Sequence, residues 1–163
     1  MIQLIIGGKG SGKTKKMIDM INESAKTTPG NIVCIEKSMK LTYDIDHNAR
    51  LIDVDEYKIE GYEMLYGFMA GILAGNYDIV EVYLDGVLKL GNHDMEGLGV
   101  LLDKVNALAG DTVKVVVTVS ANMDQLTDGV KKYLESEDFL SAGACAQAPA
   151  FSVVLAKFFY KEY

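Results

Sequence analysis

The sequence predicts an α/β fold, a three-layer α-β-α sandwich built on a mainly parallel sheet. Three observations carry that expectation. Apolar runs of strand length alternate along the chain with segments whose apolar residues recur every three or four positions, the order that gives parallel strands with helical crossovers. The first run, Met1 to Ile6, ends in glycine, as expected for a strand buried on both faces. The 163 residues, 49% hydrophobic and 24% charged, suit one globular domain over 1–163, and no linker divides them.

Taken in order, Met17, Ile18, Ile21 and Ala25 form the apolar stripe of a helix from Lys13 to Ala25, which Pro29-Gly30 closes. Ile32 to Ile35 is the second strand and Leu51 to Val54 the third. A helix over 60–75 follows, in which Gly67, Gly71 and Gly75 recur beside Leu65, Phe68, Met69, Ile72 and Leu73. Each mid-helix glycine costs about 1 kcal/mol relative to alanine. The stripe therefore predicts a closely packed second backbone, or a contact with a partner or a second copy of the chain. Its apolar stretch, Met64 to Ala74, falls short of the roughly 20 residues a bilayer needs. Ile79 to Leu84 and Val113 to Val119 read as strands. Leu98, Leu101, Leu102, Val105 and Leu108 mark one further helix, and Met123, Leu126, Val130 and Leu134 another. Ser152 to Phe158 is the expected last strand, after a small-residue loop over Ser141 to Ala150.

A net charge of −7, a pI near 4.8 and a single arginine, Arg50, argue against a surface that neutralises nucleic-acid phosphates. Cys34 and Cys145 are far apart and lack any CxxC spacing, so neither zinc site nor disulfide framework is expected. The first apolar run breaks at the glycines, unlike a signal peptide. Cytoplasmic thiols follow as the expectation.

The chemistry concentrates in Gly7-Gly8-Lys9-Gly10-Ser11-Gly12-Lys13-Thr14. It matches G-x-x-x-x-G-K-[ST] and lies between a predicted strand and a predicted helix. Glycines let the backbone turn its N–H groups inward around a phosphate, and the following helix adds its N-terminal partial charge. The stretch resembles the Walker A motif of the P-loop NTPase superfamily, with the specific likeness covering Met1 to Ala25. That resemblance implies phosphate binding by Gly8, Lys9, Gly10, Ser11, Gly12, Lys13 and Thr14, with Lys13 serving the β- and γ-phosphates and Thr14 the Mg²⁺.

The resemblance also implies a second motif, an apolar strand ending in an aspartate that holds the metal. Ile79 to Leu84 followed by Asp85 fits; Leu51-Ile52-Asp53-Val54-Asp55-Glu56 is a rival. Many ATP hydrolases carry a glutamate after that aspartate to orient water, whereas Gly86 stands here. Glu36 and Asp94 are the alternative carboxylates, although Asp94 also opens a helix, where capping is natural. Glu56 is a third. Ser120 and Asn122 follow a strand at a place where the resemblance implies polar side chains that sense the γ-phosphate. Arg50 is a candidate arginine finger for a neighbouring subunit.

The guanine signature N-K-x-D is missing, so ATP with Mg²⁺ is the expected ligand. The reading is an ATP-binding protein with weak or partner-stimulated ATPase activity. Two alternatives stand beside it: a small-molecule or nucleoside kinase, whose basic lid would come from Lys40 and Arg50, and a switch that binds nucleotide without turnover.

Overall fold

Each strand is a short run of β-branched and other apolar residues whose successive side chains point to opposite faces, and both faces are covered. A computed structural model describes residues 1–38, 41 and 43–134. Its strands are β1 (Ile2–Ile6), β2 (Asn31–Glu36), β3 (Ala49–Asp53), β4 (Ile79–Leu84) and β5 (Lys114–Val119). All pair in parallel, in the spatial order β1-β5-β4-β2-β3. The helices are α1 (Lys13–Thr27), α2 (Gly61–Gly75), α3 (Val87–Leu90), α4 (Met95–Ala109) and α5 (Asp128–Lys131).

The period-two alternation sorts the strand residues into two cores. Ile5, Ile32, Cys34, Tyr83 and Val116 pack with Met17 and Ile21 of α1. Their neighbours Leu4, Val33, Ile35, Val82, Val115 and Val117 face the other way, onto Leu65 and Met69 of α2 and Leu98, Leu101, Leu102 and Val105 of α4. The result is the expected three-layer α-β-α sandwich. Among the described residues no helix is long and apolar enough to cross a membrane.

Two expectations are corrected. The stripe Met123, Leu126, Val130 and Leu134 does not form one helix. A 3₁₀ turn over Met123–Gln125 ends where Leu126 and Thr127 become extended, with ψ of 135° and 162°, before α5 begins. Gln125 closes the turn on both sides: its side-chain oxygen accepts from Asn122 N at 2.8 Å, and its own N–H donates to Asn122 O at 3.0 Å. Leu126 and Val130 are buried all the same, so the period reported burial and not helical continuity.

The second correction concerns the glycines of α2. Nothing lies within 4 Å of where a Cβ would sit on Gly67, Gly71 or Gly75. No described segment packs along them. Close backbone approach occurs instead between Gly99 of α4 and Gly129 of α5, where a Cβ on Gly99 would lie 3.2 Å from the Gly129 Cα. The expected strand over 152–158, the loop over 141–150, Cys145 and Lys40 lie outside the described residues.

Candidate functional site

Because the strands are parallel, their carboxyl ends share one edge of the sheet, where ligands collect in open α/β folds. The side chains of Lys13, Glu36, Asp53 and Thr118, the buried polar and charged residues among those described, all lie in the segments that end or follow strands at that edge. A core tolerates such groups only when they are hydrogen-bonded or charge-paired.

β1 runs directly into the glycine loop. Gly7 N donates to Val119 O at 3.3 Å, tying the loop to the end of β5, and Ser11 N donates to Gly8 O at 3.2 Å. Gly10 and Gly12 have φ of +80° and +84°, a left-handed conformation that costs other residues about 1–2 kcal/mol. Gly12 is the N-cap of α1, and no side chain caps the helix there. The first-turn N–H groups of a 15-residue helix thus face the loop with its dipole behind them.

Lys13 is only 7% exposed. Its Nζ donates to Gly8 O at 2.7 Å and to Ser11 Oγ at 3.4 Å, both neutral acceptors. Burial holds the amine below its usual pKa; Asp85 opposes that shift, and Lys89 adds to it. A phosphate oxygen is a stronger acceptor for an ammonium than either present partner.

Thr14 and Asp85 meet across the sheet edge. The Thr14 hydroxyl lies 3.4 Å from Asp85 Oδ1 and 3.5 Å from Oδ2. Asp85 is fixed from behind: its N–H donates to Ile35 O at 2.9 Å, and Thr118 Oγ1 donates to its Oδ1 at 2.6 Å. Thr118 Oγ1 in turn accepts from Gly86 N at 3.0 Å. Sequence reasoning passed over Thr118. The available signal was a hydroxyl inside the valine run Val115 to Val119, in a strand buried on both faces, where a polar side chain needs a partner.

The other candidates separate. Glu36 is buried at the end of β2, with Oε1 accepting from Leu41 N at 3.0 Å, so part of its carboxylate holds the following turn. Asp53 accepts from Ser38 N and Asp55 N, at 3.1 and 2.9 Å. Asp55 pairs with Lys37 at 3.6 Å, and Glu56 is exposed. This rival segment leaves β3, the sheet edge farthest from β1. Asp94 caps α4, accepting from Gly97 N at 3.0 Å, in a groove lined by Tyr62, Glu63, Val100 and Lys104 and by none of residues 7–14. Ser120 is exposed directly after β5, between β1 and β4. Asn122 reaches the loop, its Oδ1 lying 3.5 Å from where a Cβ on Gly8 would stand. Arg50 is exposed near the amino end of β3, away from the edge that carries the loop.

Among the described residues no group of three or more His, Cys, Asp or Glu side chains converges to hold an ion. The donor set at the loop is one hydroxyl and one carboxylate. That suits Mg²⁺, which completes its octahedron with phosphate oxygens and water more readily than with an all-protein cage. The glycine cradle, the uncapped helix, the buried lysine and these two oxygens fit a magnesium-bound polyphosphate. Cys34 is fully buried, and burial pushes its thiol pKa up, so it offers no nucleophile. Compared with protein-family models and with curated proteins, the chain finds no match in either.

Proposed function

We propose that the chain binds Mg·ATP at residues 7–14 and hydrolyses it slowly, as a P-loop NTPase. One observation carries the reading. Thr14 and Asp85, 71 positions apart in the sequence, bring a hydroxyl and a carboxylate within 3.4 Å of each other beside a buried lysine.

In this reading Lys13 exchanges Gly8 O and Ser11 Oγ for oxygens of the β- and γ-phosphates, and the first-turn N–H groups of α1 take the remaining oxygens. Thr14 and Asp85 supply the protein oxygens for the metal. Magnesium, when bound, neutralises charge on the β- and γ-phosphate oxygens. Thr118 keeps the Asp85 carboxylate oriented, and Asn122, beside Gly8, presents a side-chain amide toward the loop.

Slow turnover follows from what stands next to Asp85. Gly86 carries no carboxylate to take a proton from attacking water, and Glu36 spends one oxygen on Leu41 N. A partner that supplies or frees such a group would accelerate the reaction. The same two facts favour, as second reading, a switch that binds ATP without turnover. A kinase needs a basic lid, and of the two residues expected to supply it Arg50 lies at the end of its strand away from the loop. Phosphate release measured with Mg·ATP tests the choice. Release above the rate of a Lys13→Ala control supports the slow ATPase; tight binding with release equal to that control moves the reading to the switch.

A further inference from the structure

A second lysine converges on the same sheet end, and the glycine-loop motif does not include it. Lys89 belongs to α3, the short helix that begins immediately after Asp85-Gly86. The other three residues of that helix, Val87, Leu88 and Leu90, are 1%, 4% and 6% exposed, so the core fixes its backbone. Lys89 N donates to Gly86 O at 2.9 Å, which folds the helix back toward the strand end. Its side chain follows the same course. Cδ and Nζ lie 3.7 and 4.0 Å from where a Cβ on Gly86 would stand. Gly86 itself is left-handed, with φ of +66°, and its lack of a side chain leaves that path open.

Lys89 forms no ion pair among the described residues, where the lysines in salt bridges are Lys37, Lys104 and Lys132. Its amine stands over Gly86, next to Asp85, whose carboxylate lies 3.4 Å from the Thr14 hydroxyl of the glycine loop. Lys13, held against the loop after β1, and Lys89, over the turn after β4, thus both stand at the carboxyl end of the sheet. Two ammonium groups at one edge suit a polyanion whose far end reaches the Asp85 side of the site.

We propose that Lys89 is a second phosphate-contacting cation, which binds the terminal phosphate of the nucleoside triphosphate and makes the site prefer triphosphate to diphosphate. The inference rests on the nucleotide reading above. It assigns to a residue of the same chain the charge that an arginine finger would otherwise bring from a neighbour.

The test is calorimetric titration of the full chain with Mg·ATP and Mg·ADP, for the wild type, Lys89→Ala, Lys89→Arg and Lys13→Ala. Lys89 is exposed, so its variants should melt with the wild type. Loss of one charge-assisted phosphate contact should weaken ATP roughly tenfold or more in Lys89→Ala. ADP should change by less than about twofold, and Lys89→Arg should restore most of the ATP affinity. Equal weakening of ATP and ADP, or no change in either, overturns the role of Lys89. If Lys13→Ala abolishes binding in that case, the nucleotide reading survives alone. A wild-type chain that binds neither nucleotide overturns both.

Discussion

Replacing Thr118 with valine keeps the shape of the side chain and removes one oxygen. That oxygen donates to Asp85 Oδ1 at 2.6 Å and accepts from Gly86 N at 3.0 Å, on a residue 1% exposed. A hydrogen bond to a charged partner contributes about 1.5–3 kcal/mol, and an amide left unpaired in a buried place costs about 1–3 kcal/mol. The methyl that replaces the hydroxyl returns about 0.8 kcal/mol. Asp85 is only partly buried and regains some hydration, so the net loss falls near the lower end, about 2–3 kcal/mol. For a chain of this size that lowers the melting temperature by roughly 5–10 °C. Thr118→Ser keeps the oxygen and gives up a methyl, so it should cost only about 1 kcal/mol. Scanning calorimetry of the three proteins without nucleotide reads the effect. A valine variant that melts within about 1 °C of the wild type would refute the claim that this hydroxyl holds Asp85.

Three further predictions follow from the same geometry. Asp85→Asn should weaken ATP binding in magnesium much more than in a chelator, whereas Asp55→Asn, on an exposed residue paired with Lys37, should leave the magnesium dependence unchanged; the reverse result would move the metal to the β3 end. Gly71→Ala meets nothing within 4 Å, so it should stabilise α2 by up to about 1 kcal/mol in urea unfolding; a loss of stability that depends on protein concentration would instead show that a second copy covers this face. Burial and then Asp94 raise the Tyr62 hydroxyl from 10.0 to about 12. Its contribution is therefore intact below the unfolded value and is lost as pH climbs through the folded one. Tyr62→Phe, which also removes the bond to Asp94 O at 2.9 Å, should be the less stable protein at neutral pH, with the gap closing above pH 10; a gap constant with pH would contradict the shift.

What could be read from the sequence was local. The glycine loop is eight consecutive residues whose spacing alone suggests phosphate binding, and β4 announces Asp85 by an apolar run ending in a carboxylate. The pairing of Thr14 with Asp85 needed the sheet, and so did Thr118, which reaches Asp85 only because β5 lies beside β4 and between it and β1. Lys89 was hidden for a similar reason. It looks like a surface lysine until the left-handed Gly86 turns α3 back over the strand end. The stripe at 123–134 misled because burial of Leu126 and Val130 needs only two short turns at the right spacing. The α2 glycines misled because a propensity cost was assumed to require close packing, and Leu65 and Met69, both buried, anchor the helix from its other face.

The central claim is that the loop holds a nucleotide through Lys13, and it is tested most directly by titrating Mg·ATP into the wild type and Lys13→Ala in the calorimeter. Lys13 donates only to two neutral acceptors, so its loss should change nucleotide-free stability by about 1 kcal/mol or less. The account predicts saturable binding to the wild type and a loss of roughly a hundredfold or more in the variant, with both proteins folded. Equal affinity in the two, or no heat of binding in the wild type, would contradict it.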